Sequence, residues 1–242
     1  MKMTSVVCEI GLNHGGSFDK AITMIQEAKR CGVTIVKFQY YLIDILCANR
    51  DDYSSYELLK KICPKPQWIP LLKAECDRLG MEFSCTAFCK YSAEEISPYV
   101  KTFKIASPEA CNLRFVKQLN QYGMPLIIST GKIDYDQIKK IRDIVDVPVT
   151  LLYCVSKYPA QPSDYHMDEF IRLQDMFSYR WQIGISDHTQ GLEIAREAIR
   201  EGATMIEKHF KIDNNCVDAA VSSSPTEMTQ LCNLVRDWNK YR

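Results

Sequence analysis

Residues 182–210 read QIGISDHTQGLEIAREAIREGATMIEKHF. Two apolar strand-like runs, QIGISD (182–187) and MIEKHF (205–210), flank a helical stretch over 192–201 that Gly202 closes, as a C-terminal glycine does. Working outward, the same strand-then-helix unit recurs. Six more apolar runs precede it: VVCEIGL (6–12), TIVKFQYY (34–41), EFSCTAF (82–88), TFKIAS (102–107), PLIIST (125–130) and VTLLYCV (149–155). Strand and helix alternating eight times predict an α/β chain folded as a (β/α)8 TIM barrel. The 242 residues suit one such barrel, so a single domain over 1–242 is expected. In that fold active sites form at the C-terminal ends of the strands, which gives a place to look for chemistry.

The intervening segments carry helix signals. Ile22, Ile25, Ala28 and Cys31 follow helical spacing over 19–31, and Gly32 ends that run. Further helices are expected over 67–79, 92–97, 113–122, 135–145 and 167–176. Ser224-Pro225-Thr226-Glu227 has capping-box spacing with proline at the first helical position, so a last helix opens there. The longest connection, 42–66, reads as a lid or small helix, or as a tolerated insertion.

Composition excludes some partners. Hydrophobic residues at 46% and charged residues at 25% describe a soluble globular domain. Net charge is zero without basic or acidic blocks, so neither nucleic acid nor membrane is an expected partner. The 11 cysteines are scattered through apolar runs without a CxxC pair, which reads as reduced, mostly buried thiols. With no signal-like N-terminus and no apolar run of ~18 residues, a cytoplasmic location is expected.

Polar residues interrupt the strands where the barrel should be dry. Lys37 and Gln39 are two apart and share a face, as do Glu207 and His209. Lys104 lies inside an apolar run, with Ser107 and Glu109 just beyond it. An unpaired buried lysine costs several kcal/mol or loses its proton. These lysines therefore meet either an internal carboxylate, such as Glu9, or an anionic ligand. His188 and His209 end neighbouring strands, beside Asp187 and Glu207, and are spaced to share a divalent metal, although a single histidine is more often a satisfied structural residue. The hydroxyls of Thr86, Ser107, Ser129, Thr130, Ser156 and Ser186 recur at the same strand ends, where with the lysines they suit a phosphate.

The strings EIGLNHGGS, VKFQ, FKIASPE, ISTGK, CVSKYP, GISDHTQG and IEKHF, in this order, closely resemble the sialic acid synthase family from about Val6 to Trp238. The resemblance implies a barrel enzyme that condenses phosphoenolpyruvate with an N-acylated hexose such as N-acetylmannosamine. The products would be a nonulosonic acid and phosphate. It implies a divalent cofactor, Mn²⁺ first and Mg²⁺ or Co²⁺ as alternatives, held by His188 and His209. Glu9 matches a catalytic carboxylate. Lys37, Thr86, Lys104, Ser107, Ser129 and Ser186 match the phosphoenolpyruvate site. Gln39, Glu109, Tyr158 and Asp218 match the sugar side.

The sequence also departs from that family. Tyr153, Ser156, Tyr40 and Lys132 stand where its histidine, asparagine, threonine and methionine are usual, and the segment NNCVD before Ala219 is shortened. Family members continue into an antifreeze-like domain whose arginine reaches a partner's sugar site. The expectation here is a barrel without that domain, acting as a homodimer or with the domain on a separate chain. Lys132 or Arg114 would then supply the missing cation. Two other readings are a Schiff-base aldolase or lyase using Lys104 or Lys37, and a non-catalytic ligand-binding barrel.

Overall fold

The structure, a computed structural model, describes residues 3–50 and 53–241. Eight parallel strands close into a barrel in sequence order, with the last pairing to the first. They are β1 (Ser5–Gly11), β2 (Ile35–Tyr40), β3 (Glu82–Ala87), β4 (Phe103–Ile105), β5 (Leu126–Ser129), β6 (Val149–Cys154), β7 (Gln182–Asp187) and β8 (Met205–His209). Seven of them fall within the strand runs read from sequence, and β1 starts one residue earlier than its run, at Ser5. Helices α1 (Phe18–Arg30), α4 (Trp68–Arg78), α5 (Lys90–Ile96), α7 (Leu113–Asn120), α8 (Tyr135–Ile144), α9 (Met167–Phe177), α10 (Glu193–Arg200) and α11 (Pro225–Lys240) alternate with the strands. The 42–66 connection carries two helices, α2 (Ile43–Arg50) and α3 (Tyr56–Ile62), and a four-residue turn of helix α6 (Ser107–Ala110) follows β4. Asp51 and Asp52 of that connection lie outside the described residues.

Local sequence explains the helix ends. Ser17, Asn112, Asp134 and Ser224 each accept a backbone N–H of the first turn, and Ser224 completes the box with Glu227. Helix α5 starts two residues earlier than its pattern suggested, because Cys89 and Ser92 exchange bonds across its first turn.

Alternation along the strands sorts side chains into two environments. Outward residues such as Cys8, Ile10, Phe38, Phe83, Ile128 and Ile185 pack beneath the helices in the main core. Inward residues form a separate small core at the N-terminal end, Val7, Ile127, Leu152 and Met205 with Ile35 against them. Gly184 makes that plug possible. A Cβ there would lie 2.9 Å from Leu152 Cδ2 and against the Met205 carbonyl. The next inward positions along the strands are Glu9, Lys37, Thr86, Lys104, Ser129, Cys154, Ser186 and Glu207, so the barrel is apolar at its base and polar above. Gly11, at φ +55, carries a register shift between β1 and β2. The shift brings Glu9 and Gln39 side by side, within 3.1 and 3.3 Å of where a Cβ on Gly11 would sit.

The two helices of the long connection rest on their own core of Leu12, Tyr41, Leu46 and Ile62, beside Phe88. Leu12 and Phe88 also line the cavity at the barrel mouth, so this insertion forms part of its rim. Among the described residues no helix is long and apolar enough to cross a membrane. All eleven cysteines are free thiols.

Candidate active site

A cavity of about 400 Å³ opens at the C-terminal ends of the strands. Twelve of the thirteen site residues expected from sequence line it, and Glu109 does not. Glu109 lies in α6, one turn beyond β4. Lys132 lines the cavity and Arg114 does not.

The floor is a row of buried charges. Lys37 Nζ lies 2.6 Å from Glu9 Oε2 and 3.7 Å from Glu207 Oε2, and donates to Thr86 Oγ1 at 3.1 Å. Lys104 Nζ lies 3.6 Å from Glu207 Oε1 and donates to Ser129 Oγ at 2.8 Å. Ser186 donates to Glu207 at 2.9 Å, and Gln39 Nε2 donates to Glu9 Oε1 at 2.8 Å. Both lysines are 3% exposed, too little for water to carry their charge.

The two amines differ in charge affinity. Burial works against the Lys37 ammonium, but Glu207 and Glu9 outweigh it and its pKa is raised. For Lys104 burial wins; Glu207 offsets it only in part, Lys37 adds repulsion, and the pKa is lowered. Burial would raise the Glu207 carboxyl, yet Lys104, Lys37 and the Ser186 hydroxyl together hold it down at about 2. Both alternatives for the lysines thus meet in one place: they have internal counter-ions, and they face an open cavity.

The opposite wall holds the imidazoles. His188 follows β7, and the segment after β6 grips it at several points. Its Nδ1–H donates to the Val155 carbonyl at 2.8 Å, and Ala160 N–H donates to its carbonyl at 3.1 Å. The Tyr165 hydroxyl accepts the His188 N–H at 3.0 Å while donating to the Ser186 carbonyl at 2.7 Å. The bond to Val155 fixes the tautomer and leaves Nε2 as an acceptor. Burial, with His209 adding repulsion, lowers the His188 pKa to about 3, so the ring is neutral. Tyr158 is 57% exposed on its outer flank, but its hydroxyl reaches inward to 3.0 Å from His188 Nε2.

His209 ends β8, its ring centroid 5.5 Å from that of His188. Its Nδ1 lies 3.2 Å from Asp218 Oδ2. Burial opposes protonation there, but Asp218 prevails and the pKa is raised. Cys154 also lines the wall, its thiol pushed up to about 11 by burial, so it is a neutral filler beside His188.

Asp187 is elsewhere than its spacing suggested. It points outward from the barrel and pairs with Lys208 at 3.0 Å, both fully buried, while Lys208 also donates to the Thr189 carbonyl. The ion pair joins the neighbours of the two histidines across β7 and β8. Thr130 also turns away, donating to the Leu152 carbonyl.

A divalent ion fits the donor chemistry of this wall. His188 presents an unprotonated Nε2, and among the described residues no hydrogen bond engages Nε2 of His209. Among the described residues no group of three or more His, Cys, Asp and Glu side chains gathers as a metal cage. An ion held here would take two imidazoles from the protein, with other positions left to water or substrate oxygens.

Sequence reasoning noted Glu207 only as a neighbour of His209; the structure makes it the shared counter-ion of both lysines. Asn13 and Tyr165 are not among the residues singled out from the sequence. The signal for Asn13 was available, as an asparagine inside a glycine-rich turn directly after a strand, but its partners lie about 200 residues away.

Residues 24–242 match the NeuB family. The chain is 32% identical over 255 residues to the N,N'-diacetyllegionaminic acid synthase of Legionella pneumophila, covering 96% of this chain and 71% of that one. It is 29% identical over 251 residues to the N-acetylneuraminate-9-phosphate synthase of Drosophila melanogaster, covering 96% and 67%. Its barrel superposes on the crystal structure of the N-acetylneuraminic acid (sialic acid) synthetase of Leptospira borgpetersenii in complex with citrate. The TM-score is 0.93 at 28% identity, over 99% of this chain and 85% of that one.

Proposed function

The chain belongs to the NeuB family, and from that premise we propose that it joins phosphoenolpyruvate to the aldehyde of an N-acylated hexose. The products are a nonulosonic acid and inorganic phosphate. The observation that carries this reading is the cavity floor: Lys37 and Lys104, with Thr86, Ser129 and Ser186 around them, face two imidazoles across one cavity. Relatives named as legionaminic acid and N-acetylneuraminate-9-phosphate synthases support the product class.

Lys37 and Lys104 take the phosphate and carboxylate of phosphoenolpyruvate, while the hydroxyls of Thr86, Ser107, Ser129 and Ser186 complete the oxyanion contacts. This holds C3 of the enol against the sugar aldehyde, and positioning of this kind accounts for several kcal/mol of a barrier. A divalent ion bound by His188 and His209 supplies Lewis acidity toward the aldehyde oxygen. C3 forms a bond to the aldehyde carbon, and that carbon's oxygen takes up a proton. C2, now electron-poor, takes the oxygen of water; Glu9 orients this water and accepts its proton. The C2–O bond to phosphate then breaks, leaving the keto acid. Gln39, Tyr158 and Asp218 border the sugar. The test is phosphate release from phosphoenolpyruvate with Mn²⁺ and a panel of acylamino hexoses, with the sugar acid identified by mass. Release in step with sugar-acid formation supports the reading; binding of phosphoenolpyruvate without release across the panel favours a ligand-binding barrel.

One observation favours a second reading. The lowered pKa of Lys104 is what an amine nucleophile needs for Schiff-base chemistry. Borohydride reduction with a keto acid in the presence of chelator separates the two. A covalent adduct on Lys104 supports the aldolase; its absence, with metal-dependent phosphate release, supports the synthase.

A further inference from the structure

Asp218 sits in the long segment between β8 and α11, in a run of turns whose two ends a β-bridge between Phe210 and Ser223 joins. Its carboxylate reaches the end of β8, 3.2 Å from His209 Nδ1, and lines the cavity. The turn is tied to the barrel by a side chain from the other end of the chain as well. Asn13, in the turn after β1, is fully buried and makes three hydrogen bonds across this gap. Its Oδ1 accepts the Asp218 N–H at 2.9 Å. Its Nδ2 donates to the Phe210 carbonyl at 2.8 Å and to Ser222 Oγ at 2.9 Å. Ser222 in turn donates to the Asp218 carbonyl at 2.6 Å. One amide group thus touches Asp218 itself and Phe210, the residue that follows His209.

The chemistry of this gap selects asparagine. It presents two acceptors, the Phe210 carbonyl and Ser222 Oγ, and one donor, the Asp218 N–H. A carboxamide has two N–H donors and a carbonyl, and asparagine is the shortest side chain that carries them. Aspartate would turn a carboxylate toward the Phe210 carbonyl, acceptor against acceptor. Alanine would leave the buried Phe210 carbonyl and the half-buried Asp218 N–H without their partner.

We infer that Asn13 is a positioning residue: it sets Asp218 beside His209 and so fixes the sugar-side wall of the cavity. Its effect on sugar rests on the reading that this wall faces the sugar. Loss of an outer partner of a ligating or substrate-facing group changes affinity by about 10- to 100-fold. Asn13→Ala should therefore raise KM for the sugar by that order and leave KM for phosphoenolpyruvate, which is held on the opposite wall, within about twofold.

The experiment compares the full chain with Asn13→Ala, Asp218→Ala and the double variant. Sugar and phosphoenolpyruvate KM values are measured, and the His209 imidazole signals are recorded by ¹⁵N NMR without metal. In the expected result Asn13→Ala shifts the His209 signals as Asp218→Ala does, and the double variant adds nothing to either sugar KM or shift. Additive effects, unmoved His209 signals, or equal rises in both KM values would overturn the positioning role. If the parent turns over no sugar, the proposed function fails, and the NMR arm still decides the role of Asn13. Should Asn13→Ala not fold, Asn13→Asp keeps the acceptor for Asp218 N–H and loses both donors. It should give a smaller shift in the same direction, and an unchanged spectrum would count against the proposal.

Discussion

Lys37 and Lys104 are equally buried, yet only Lys37 has two carboxylates beside it. Under the proposed function, phosphoenolpyruvate would supply the charge that Lys104 lacks. Lys104→Met should weaken phosphoenolpyruvate binding by about 2–5 kcal/mol, because one partner of a desolvated pair is gone. Stability without ligand should not fall, since Glu207 keeps Lys37 and a costly buried amine is removed. Calorimetry and urea unfolding on one preparation check both; binding equal to the parent's would make Lys104 structural. These lysines were legible in the sequence because a charge inside an apolar strand run is conspicuous. Their partner Glu207 was not, since pairing across a barrel depends on which strand ends meet at the same height, and no local spacing encodes that.

A second residue-scale effect concerns His14, buried against Trp68 and Phe38. Burial, with Lys20 nearby, lowers its pKa to about 4. In the unfolded chain an unperturbed histidine titrates near pH 6.5, so between the two values the unfolded state holds one more proton. Its contribution to stability is complete above the unfolded value and is lost as pH falls toward 4, at about 1.4 kcal/mol per pH unit. His14→Gln should make the fall in stability between pH 7 and pH 5 shallower, read from urea midpoints. An unchanged slope would mean that His14 takes up its proton in the folded state.

At the scale of elements, the segment from β6 to α9 acts as a holder for His188. The Tyr165 hydroxyl bridges the Ser186 carbonyl and the His188 N–H. Tyr165→Phe removes the bridge and keeps the ring. It should weaken Mn²⁺ binding by about 1–3 kcal/mol, the cost of leaving buried groups unpaired, while far-ultraviolet circular dichroism stays unchanged. Mn²⁺ affinity equal to the parent's would show that Val155 and Ala160 suffice. The strands and most helices were legible because period-two and period-3.6 patterns, glycine stops and capping residues are local signals. The role of this holder was not legible, because its bonds run from a loop to the backbone of another strand. Asp187 shows the same limit. It stands next to His188 in sequence, but strand alternation turns it outward to Lys208.

The whole barrel divides by height. Its base is plugged by Val7, Ile127, Leu152 and Met205, and the polar residues stand above that plug. Charges held between an apolar base and the rim formed by Leu12, Phe88 and Tyr158 are poorly screened, so an anion entering there meets a strong field. The most direct test of a condensing synthase is phosphate release by the purified chain with phosphoenolpyruvate, Mn²⁺ and an acylamino hexose. The expected result is one phosphate per sugar acid formed, dependent on both substrates, abolished by chelator and restored by added Mn²⁺. Phosphate release that needs no sugar, or sugar acid formed at full rate in chelator, would contradict it.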